Sequence, residues 1–222
     1  MSTQVVQPNS IPRINDPAPD FMALSTHGEI TLSRYTSAGK WVLLFSHPAD
    51  FTPVCTTEFI EFARLAPEFE KRNVQPIGLS VDSVYSHLGW KQNIEKNFDQ
   101  KIPFPVIADR NIAVASLYGL IHPGASDTAT VRAVFLIDPN QKVRFLIYYP
   151  LSLGRNSQEI LRAIDAVQTA DKHAIATPVN WKPGDEVIVP PPSSEAALRD
   201  RLELGKKGEV NQIDWYFSKK KI

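Results

Sequence analysis

Short strand-like runs alternate with segments of helical period along most of this chain of 222 residues. Five runs have the length and apolar character of buried strands: residues 41–45, 76–81, 104–108, 133–137 and 143–149. Because sheets and helices must bury their apolar faces against each other, this alternation predicts an α/β fold rather than a sandwich or a helix bundle. A turn-like segment at residues 138–141 separates the last two runs and favours an antiparallel hairpin, so we expect a mixed sheet.

The segments between these runs carry apolar residues at helical spacing. In the first of them Phe59, Phe62 and Phe69 share a face, and Pro67 predicts a kink because proline clashes with the preceding turn of a helix. Further helices are predicted at about residues 83–98, 111–118 and 156–173. The last of these starts at residues suited to capping, and its predicted buried stripe is Ile160, Leu161, Ile164 and Val167.

The composition changes after about Thr169. Prolines at positions 178, 183 and 190–192 are expected to interrupt any regular element there. We therefore predict a main domain at residues 1–170 and an extended C-terminal arm, used in dimerisation, at residues 171–222. An arm too small for its own core must pack on the main domain or on another subunit to hide its aromatic residues. These are Trp181, Trp215, Tyr216 and Phe217.

Charge and hydropathy exclude several classes of partner. Lys and Arg number 24, as do Asp and Glu, so the net charge of zero gives no electrostatic case for nucleic acid or an anionic membrane. The longest apolar runs are about five residues, against roughly 20 for a membrane span, and residues 1–15 hold no run typical of a signal peptide. One cysteine cannot form an internal disulfide, which fits a reducing compartment. We expect a cytoplasmic protein.

The single cysteine, Cys55, lies between the strand-like run at residues 41–45 and the first helical segment. A free thiol is only a few per cent ionised at neutral pH, whereas the unpaired N–H groups at the start of a helix favour the reactive thiolate. Pro48 and Pro53 stiffen the loop around Thr52. The hydroxyl of Thr52 is near enough to hydrogen-bond the sulfur or a substrate oxygen, although a simple turn residue is an equal alternative.

The spacing Pro48-x-x-x-Thr52-x-x-Cys55 resembles the active-site motif of the peroxiredoxins, and the surrounding residues resemble their one-cysteine subfamily. Further similarity is found at residues 18–21, 130–138, 154–156 and 180–185, so the resemblance covers nearly the whole chain. It implies a thioredoxin-like fold with a C-terminal extension. It also implies an antioxidant thiol peroxidase that reduces hydrogen peroxide and organic hydroperoxides.

By this resemblance Cys55 is the peroxidatic, redox-active cysteine, which attacks the peroxide and becomes a sulfenic acid. Thr52 would orient the peroxide, and Pro48 would shield the sulfur from water. Arg132 matches the active-site arginine of the family, whose charge would stabilise the thiolate and the departing oxygen. Taken alone, an arginine on a strand is more often a surface residue or an ion-pair partner.

Three further residues are candidates for supporting roles. The resemblance places His47 near the sulfur, where an imidazole could act as a general base. Glu58 is expected one turn along the helix, where it would orient an arginine rather than touch substrate, and Arg155 resembles a second arginine near the pocket. The remaining histidines have no partner spacing and are expected to be structural or surface residues: His27, His87, His122 and His173.

Several cofactors and reaction types lack their sequence motifs. The chain has no Cys-x-x-Cys for dithiol exchange, no clustered zinc ligands and no phosphate-binding glycine loop. We therefore expect neither a metal nor a cofactor. Because no resolving cysteine exists, oxidised Cys55 must be reduced by an external thiol donor or form a disulfide with Cys55 of another subunit. The identity of the donor and the choice between a homo-dimer and a larger ring stay open.

Two alternatives to a peroxidase remain. One is a hydrolase, either a Cys-His acyl transferase that uses Cys55 and His47 or a lipase-like activity reported for some one-cysteine peroxiredoxins. No G-x-S-x-G elbow exists, and residues 37–40 do not match the Gly-Asp-Ser motif associated with that lipase activity. The other is a chaperone-like or redox-signalling assembly supported by the aromatic arm.

Overall fold

The computed structural model describes residues 11–222. The first ten residues, which belong to the segment considered for a signal peptide, lie outside the described residues. The chain divides into two compact units, of which one ends at Ser157 and the other is Gln158–Ile222. This division falls earlier than the boundary predicted after residue 170, which stays a prediction.

A seven-stranded sheet forms the centre of the first unit, in the order β2-β1-β5-β4-β3-β6-β7. Strand β4 is parallel to β3 and β5, and the other neighbouring pairs are antiparallel, which confirms the mixed sheet. Strands β1 and β2 were not predicted, because four residues are too few to show a period. The strands are β1 (Met22–Ser25), β2 (Gly28–Thr31), β3 (Trp41–Ser46), β4 (Val74–Ser80), β5 (Val106–Ala108), β6 (Arg132–Ile137) and β7 (Val143–Tyr149).

Five helices connect these strands: α1 (Leu32–Ser37), α2 (Pro53–Arg64), α3 (Ala66–Lys71), α4 (Val84–Phe98) and α5 (Ala113–Leu117). The distortion predicted at Pro67 is a break, because α2 ends at Arg64 and α3 begins at Ala66. Pro67 lies in the first turn of α3, where its missing N–H would have no partner in any case. Ser83 caps α4 by accepting a hydrogen bond from the backbone N–H of Ser86 at 3.1 Å.

Strand β3 is buried on both faces, so it lies in the interior of the first unit. Val42 and Leu44 belong to one apolar cluster of the core. Successive side chains of a strand point to opposite faces. Phe45 therefore points to the other face of the strand. Its ring centroid lies 5.5 Å from that of Phe59 and 4.7 Å from that of Phe62. The loop that follows β3 therefore starts among buried aromatic rings.

The second unit contains most of α6 (Ser157–His173), together with β8 (Val187–Val189), α7 (Glu195–Lys206), β9 (Asn211–Asp214) and β10 (Phe217–Lys220). Strands β8, β10 and β9 form an antiparallel sheet in that order. The prediction of an extended arm without regular elements was wrong, because the prolines at positions 178, 183 and 190–192 all lie between elements. No helix of residues 11–222 is long and apolar enough to cross a membrane.

The second unit has a small core of its own, contrary to expectation. Trp181 is only 2% exposed and packs in a cluster with Ala166, Ile175 and Val187. In α6, Ile160, Leu161 and Ile164 are buried as predicted, but Ala166 is buried in place of Val167. The aromatic residues of the arm differ in exposure, since Trp215 is 47% and Tyr216 54% exposed.

Candidate active site

Cys55 lies in the first turn of α2, and its side chain is fully buried. Thr52 is the N-cap residue with an extended backbone, and Pro53 occupies the first helical position, which suits its fixed φ. The first hydrogen bond within the helix joins the N–H of Thr56 to the carbonyl of Thr52 at 2.9 Å. The backbone N–H groups of Val54 and Cys55 therefore precede the first hydrogen bond of the helix and form the positive end of the helix dipole.

The loop before α2 makes a tight turn that directs the chain into this helix. Phe51 has a φ of +54°, a left-handed conformation that is uncommon outside glycine. The hydroxyl of Thr52 donates a hydrogen bond to the carbonyl of Ala49 at 2.9 Å, so it does not donate to the sulfur. The oxygen of Thr52 still has lone pairs that can accept a hydrogen bond. Pro48, at the start of the turn, is half-buried.

Arg132 extends from the first position of β6 to the sulfur. Its Nη1 lies 3.3 Å from Sγ of Cys55 and 2.7 Å from Oε2 of Glu58, while its Nε donates to the carbonyl of Leu151 at 2.9 Å. Arg132 is only 3% exposed, so it is not the surface residue that a lone arginine on a strand would suggest. The antiparallel pairing of β6 with β3 brings the start of β6 beside the end of β3, where the cysteine loop begins.

Glu58 joins Arg132 to Arg155. Its Oε2 accepts from Nη2 of Arg155 at 2.6 Å, and its Oε1 accepts from Nε and from the backbone N–H of Arg155, each at 2.9 Å. Nη1 of Arg155 also donates to the carbonyls of Ser46 and Ala133. Burial by itself would raise the pKa of Glu58, but the charge and hydrogen bonds of Arg155, followed by the charge of Arg132, hold this pKa below its ordinary value.

The charges of this buried cluster balance in only one state of the sulfur. Arg132 and Arg155 contribute two positive charges and Glu58 contributes one negative charge, and all three side chains are at least nine-tenths buried. A thiol at Cys55 leaves one positive charge uncompensated, whereas a thiolate brings the sum to zero. The excess positive charge lies beside the sulfur, where Nη1 of Arg132 is 3.3 Å from Sγ, and an unpaired buried charge is strongly unfavourable.

A second buried cluster consists of His47, Asp50 and His87. Nε2 of His47 lies 2.8 Å from Oδ1 of Asp50, Nδ1 of His87 lies 2.8 Å from Oδ2, and Nε2 of His87 lies 3.1 Å from the carbonyl of Ile107. Burial lowers the pKa of His47, although its hydrogen bond with Asp50 opposes this effect. Burial would raise the pKa of Asp50, but the hydrogen bonds of His47 and His87 outweigh it and hold this pKa well below its usual range.

This second cluster was not predicted from the sequence. His87 has a partner after all, because α4 brings it to Asp50 from 37 positions away. The spacing of His47 and Asp50 in one loop was the only local indication. The ligand-type atoms of the three side chains lie within 4.8 Å of one another, as a metal site would require. However, both imidazoles are at hydrogen-bond distance from Asp50, and a metal would have to break these contacts. The cluster therefore does not fit a metal centre, and the absence of a metal stays a prediction.

Comparisons with known proteins agree with this geometry. Residues 14–146 match the model of the AhpC/TSA family, and residues 166–204 match the C-terminal domain of 1-Cys peroxiredoxin. Peroxiredoxin 2 of Caldanaerobacter subterraneus subsp. tengcongensis is 54% identical over 212 residues, which are 96% of this chain and 94% of the relative. A structure of yeast mitochondrial 1-Cys peroxiredoxin has 44% identity and a TM-score of 0.84, and the match covers 96% of this chain and all of that one.

A second solved structure extends the comparison. A cysteine-to-serine mutant of peroxiredoxin 6 of Arenicola marina has 34% identity and a TM-score of 0.82, with 94% of this chain and 97% of that one covered. The thioredoxin-like fold with a C-terminal extension, as expected from the sequence, is thus confirmed, and a peroxidase is favoured over the hydrolase and assembly alternatives. With its single cysteine and near full-length similarity to these relatives, the chain belongs to the peroxiredoxin family, in its one-cysteine branch, and is a thiol peroxidase.

Proposed function

We propose that Cys55 is the peroxidatic residue of this enzyme. Its thiolate attacks the distal oxygen of hydrogen peroxide or of an organic hydroperoxide, so that an S–O bond forms as the O–O bond breaks. The sulfur is oxidised to a sulfenic acid, and the departing oxygen takes a proton and leaves as water or an alcohol. The observation that carries the proposal is the 3.3 Å contact between Arg132 and the buried sulfur.

Four groups around the sulfur would assist this step. The guanidinium of Arg132 can stabilise the negative charge that moves onto the departing oxygen. The backbone N–H of Cys55 can donate to the peroxide, and the oxygen of Thr52 can accept the peroxide hydrogen, because its own proton is bonded to Ala49. Pro48 would shield the sulfur from water.

Glu58 and Arg155 are positioning residues in this proposal. Glu58 shares its carboxylate between Arg132 and Arg155, and Arg155 is in turn bonded to backbone carbonyls at the ends of β3 and β6. The guanidinium of Arg132 is therefore held in place before substrate binds. Pre-organised charges of this kind need no rearrangement at the moment of reaction.

The sulfenic acid would be reduced by an external thiol, since the chain offers no second cysteine. A donor thiol loses its proton and attacks the sulfenic sulfur as a thiolate, a disulfide forms, and the displaced hydroxide takes that proton and leaves as water; a second thiol then releases Cys55. The similar yeast protein is described as resolved by the glutathione and thioredoxin systems, and we propose a donor of one of these two kinds here. Such donors are kept reduced in the cytoplasm, where we place the enzyme.

We also propose that the chain assembles as a homo-dimer or a larger ring. Trp215 and Tyr216 stand about half exposed on a turn between β9 and β10, although aromatic residues of this size are usually covered. A second copy of the chain would cover them. Neither nucleic acid nor a membrane is part of this proposal.

The first test follows peroxide loss after pre-reduced protein is mixed with one equivalent of hydrogen peroxide in a stopped-flow instrument, with intact mass as a second readout. Cys55→Ser is the control variant. We expect rapid peroxide loss and one added oxygen atom on the wild-type chain and neither on the variant. Peroxide loss no faster than with a free thiol would overturn the proposal.

A further inference from the structure

Lys91, on α4, is a half-buried lysine without an acidic partner. It lies next to the buried Trp90, at the edge of the helix face that packs inward. Within the described part of the chain, Nζ of Lys91 contacts two uncharged oxygen atoms, and no carboxylate lies at ion-pair distance from it. Removing an ammonium group from water without a counter-charge is unfavourable. This position therefore favours the neutral amine, a form that lysine takes readily when it is buried.

Two fixed oxygen atoms hold the amine of Lys91. Nζ donates to the carbonyl of Phe104 at 3.2 Å and to Oγ1 of Thr26 at 3.3 Å. Thr26 is itself tied to β5, because its backbone N–H donates to the carbonyl of Val106 at 3.0 Å and its Oγ1 accepts the N–H of Val106 at 3.1 Å. A neutral amine has two N–H groups and one lone pair. The two oxygens use both N–H groups, so the lone pair is the part of the amine left for a reactant.

Lys91 lines a cavity of about 480 Å³ between the turn that joins β1 to β2, helix α4 and the segment before β5. The other titratable side chains in its lining are His27, Glu95 and Lys101. Burial, followed by the charge of Lys101, lowers the pKa of Lys91 to about 8. The pKa of His27 is also lowered, by burial and then by the charge of Lys91, so its ring is neutral at this pH. A charge that disfavours an ammonium ion at Nζ favours an anion bonded to the same atom.

We propose that Lys91, held by Thr26 and Phe104, is a site where carbon dioxide adds reversibly to form a carbamate. The lone pair of Nζ attacks the carbon atom of CO₂, an N–C bond forms, and the electron pair of one C=O bond moves to oxygen. One proton of Nζ goes to solvent, so an amine and CO₂ give a carbamate and a proton. The step needs no oxidant, no reductant and no leaving group, and it is independent of the proposed function of Cys55.

The surroundings of Nζ suit the product as well as the amine. A carbamate nitrogen has one N–H group instead of two. The carbonyl of Phe104, which can only accept, keeps this N–H group. The hydroxyl of Thr26 can also donate, and its proton can turn to the new carboxylate oxygen while its own oxygen still accepts from Val106. The charge of Lys101 stabilises the anion that has formed.

The first experiment looks for the carbamate on the full-length protein and does not depend on peroxidase activity. The protein is incubated with ¹³C-labelled bicarbonate at a pH of about 8, trapped with triethyloxonium, which converts a carbamate to a stable ethyl ester, and mapped by peptide mass. We expect the labelled ester on Lys91. The map separates Lys91 from the α-amino group of the chain, whose pKa is also near 8.

Lys91→Arg should remove this label, because a guanidinium stays charged and offers no lone pair. Lys96→Arg is the matched control, since Lys96 lies exposed on the same helix, and it should keep the label on Lys91. A wild-type map without the ester on Lys91, or with as much ester on Lys96 as on Lys91, would overturn the proposal. An anion that binds in the cavity without a covalent bond leaves no ester and gives the first of these results.

The second experiment tests the oxygen that holds the amine. Thr26→Val keeps the shape of the side chain but removes its hydroxyl, and the label on Lys91 should fall about fivefold, the effect of one hydrogen bond. Thr26→Ser keeps the hydroxyl and should keep the label. Equal labelling of the two variants would overturn the proposal.

The pH dependence gives a third readout with a defined sign. At a fixed concentration of bicarbonate the sum is amine and bicarbonate going to carbamate and water, so the extent of labelling follows the fraction of neutral amine. The label on Lys91 should rise with pH and level off above about 8. An ordinary lysine, with a pKa of about 10.4, is still charged there. Labelling of Lys91 that begins only above about pH 10 would overturn the proposal.

Discussion

Nη1 of Arg132 lies 3.3 Å from Sγ of Cys55. The same nitrogen lies 2.7 Å from Oε2 of Glu58, so its two N–H groups are directed at a sulfur and at a carboxylate. Hydrogen bonds between charged groups are stronger than neutral ones, and here they fix the arginine from two sides. The position of the positive charge next to the sulfur is therefore set by the fold and not by the substrate.

Replacement of this arginine should slow the chemistry without unfolding the site. We expect Arg132→Ala to lower the rate of peroxide reduction by about 10²–10³-fold, the effect typical of removing one donor that stabilises a departing oxygen. Stopped-flow measurement of peroxide loss tests this expectation. Arg34→Ala, at an exposed arginine, is the matched control and should keep the wild-type rate. An unchanged rate in Arg132→Ala would remove this residue from the mechanism.

Loss of the shared carboxylate should affect stability. Glu58→Gln leaves the guanidinium groups of Arg132 and Arg155 buried without their counter-charge, and breaking a buried pair in this way costs about 3–5 kcal/mol. We expect urea unfolding to show a decrease of this size in the free energy of unfolding. The exposed Glu70, replaced in the same way, should change it by less than about 0.5 kcal/mol. Equal stability of the two variants would contradict the structural role of Glu58.

Stability should also fall as the pH decreases. Asp50, Glu58 and His47 all have folded-state pKa values below their ordinary ones, so the unfolded chain binds more protons than the folded chain. Their contribution is complete above the unfolded values, about 6.5 for histidine and about 4 for carboxyl groups, and is lost as the pH falls through the folded values. Urea midpoints at a series of pH values measure this effect, and in Glu58→Gln the acidic part of the curve should be flatter. Midpoints that rise on acidification would show that the sign is wrong.

Access of bulky reagents to the sulfur should require local opening of the chain. Cys55 is 0% exposed, so a bulky aromatic disulfide reagent can reach it only when the start of α2 opens. We expect this reagent to react with the folded protein on the order of a hundredfold more slowly than with the protein in urea, while hydrogen peroxide reacts rapidly with the folded form. Absorbance of the released thiol follows the reaction. Equal rates in the two conditions would show that the sulfur is open to solvent.

Local patterns along the chain predicted much of this architecture. The apolar runs at β3, β6 and β7 and the turn at residues 138–141 were sufficient to predict a hairpin in a mixed sheet. Pro67 predicted the interruption between α2 and α3. The short strands were missed because the spacing of so few residues carries little information. The small sheet of the second unit was missed because its prolines were interpreted as interrupting regular elements, whereas they lie in the connections between them.

The sequence by itself determined the proposed nucleophile and its immediate setting: one cysteine, two prolines and a helix start, all within eight positions of the chain from Pro48 to Cys55. The tertiary structure alone decided which charges surround it. Arg132 is 77 positions from Cys55, and His87 is 37 positions from Asp50. The physical reason is that a local pattern depends on neighbours within a few residues. The distance between a guanidinium and a distant sulfur depends on which strands pair and in which register, and here the pairing of β3 with β6 sets it.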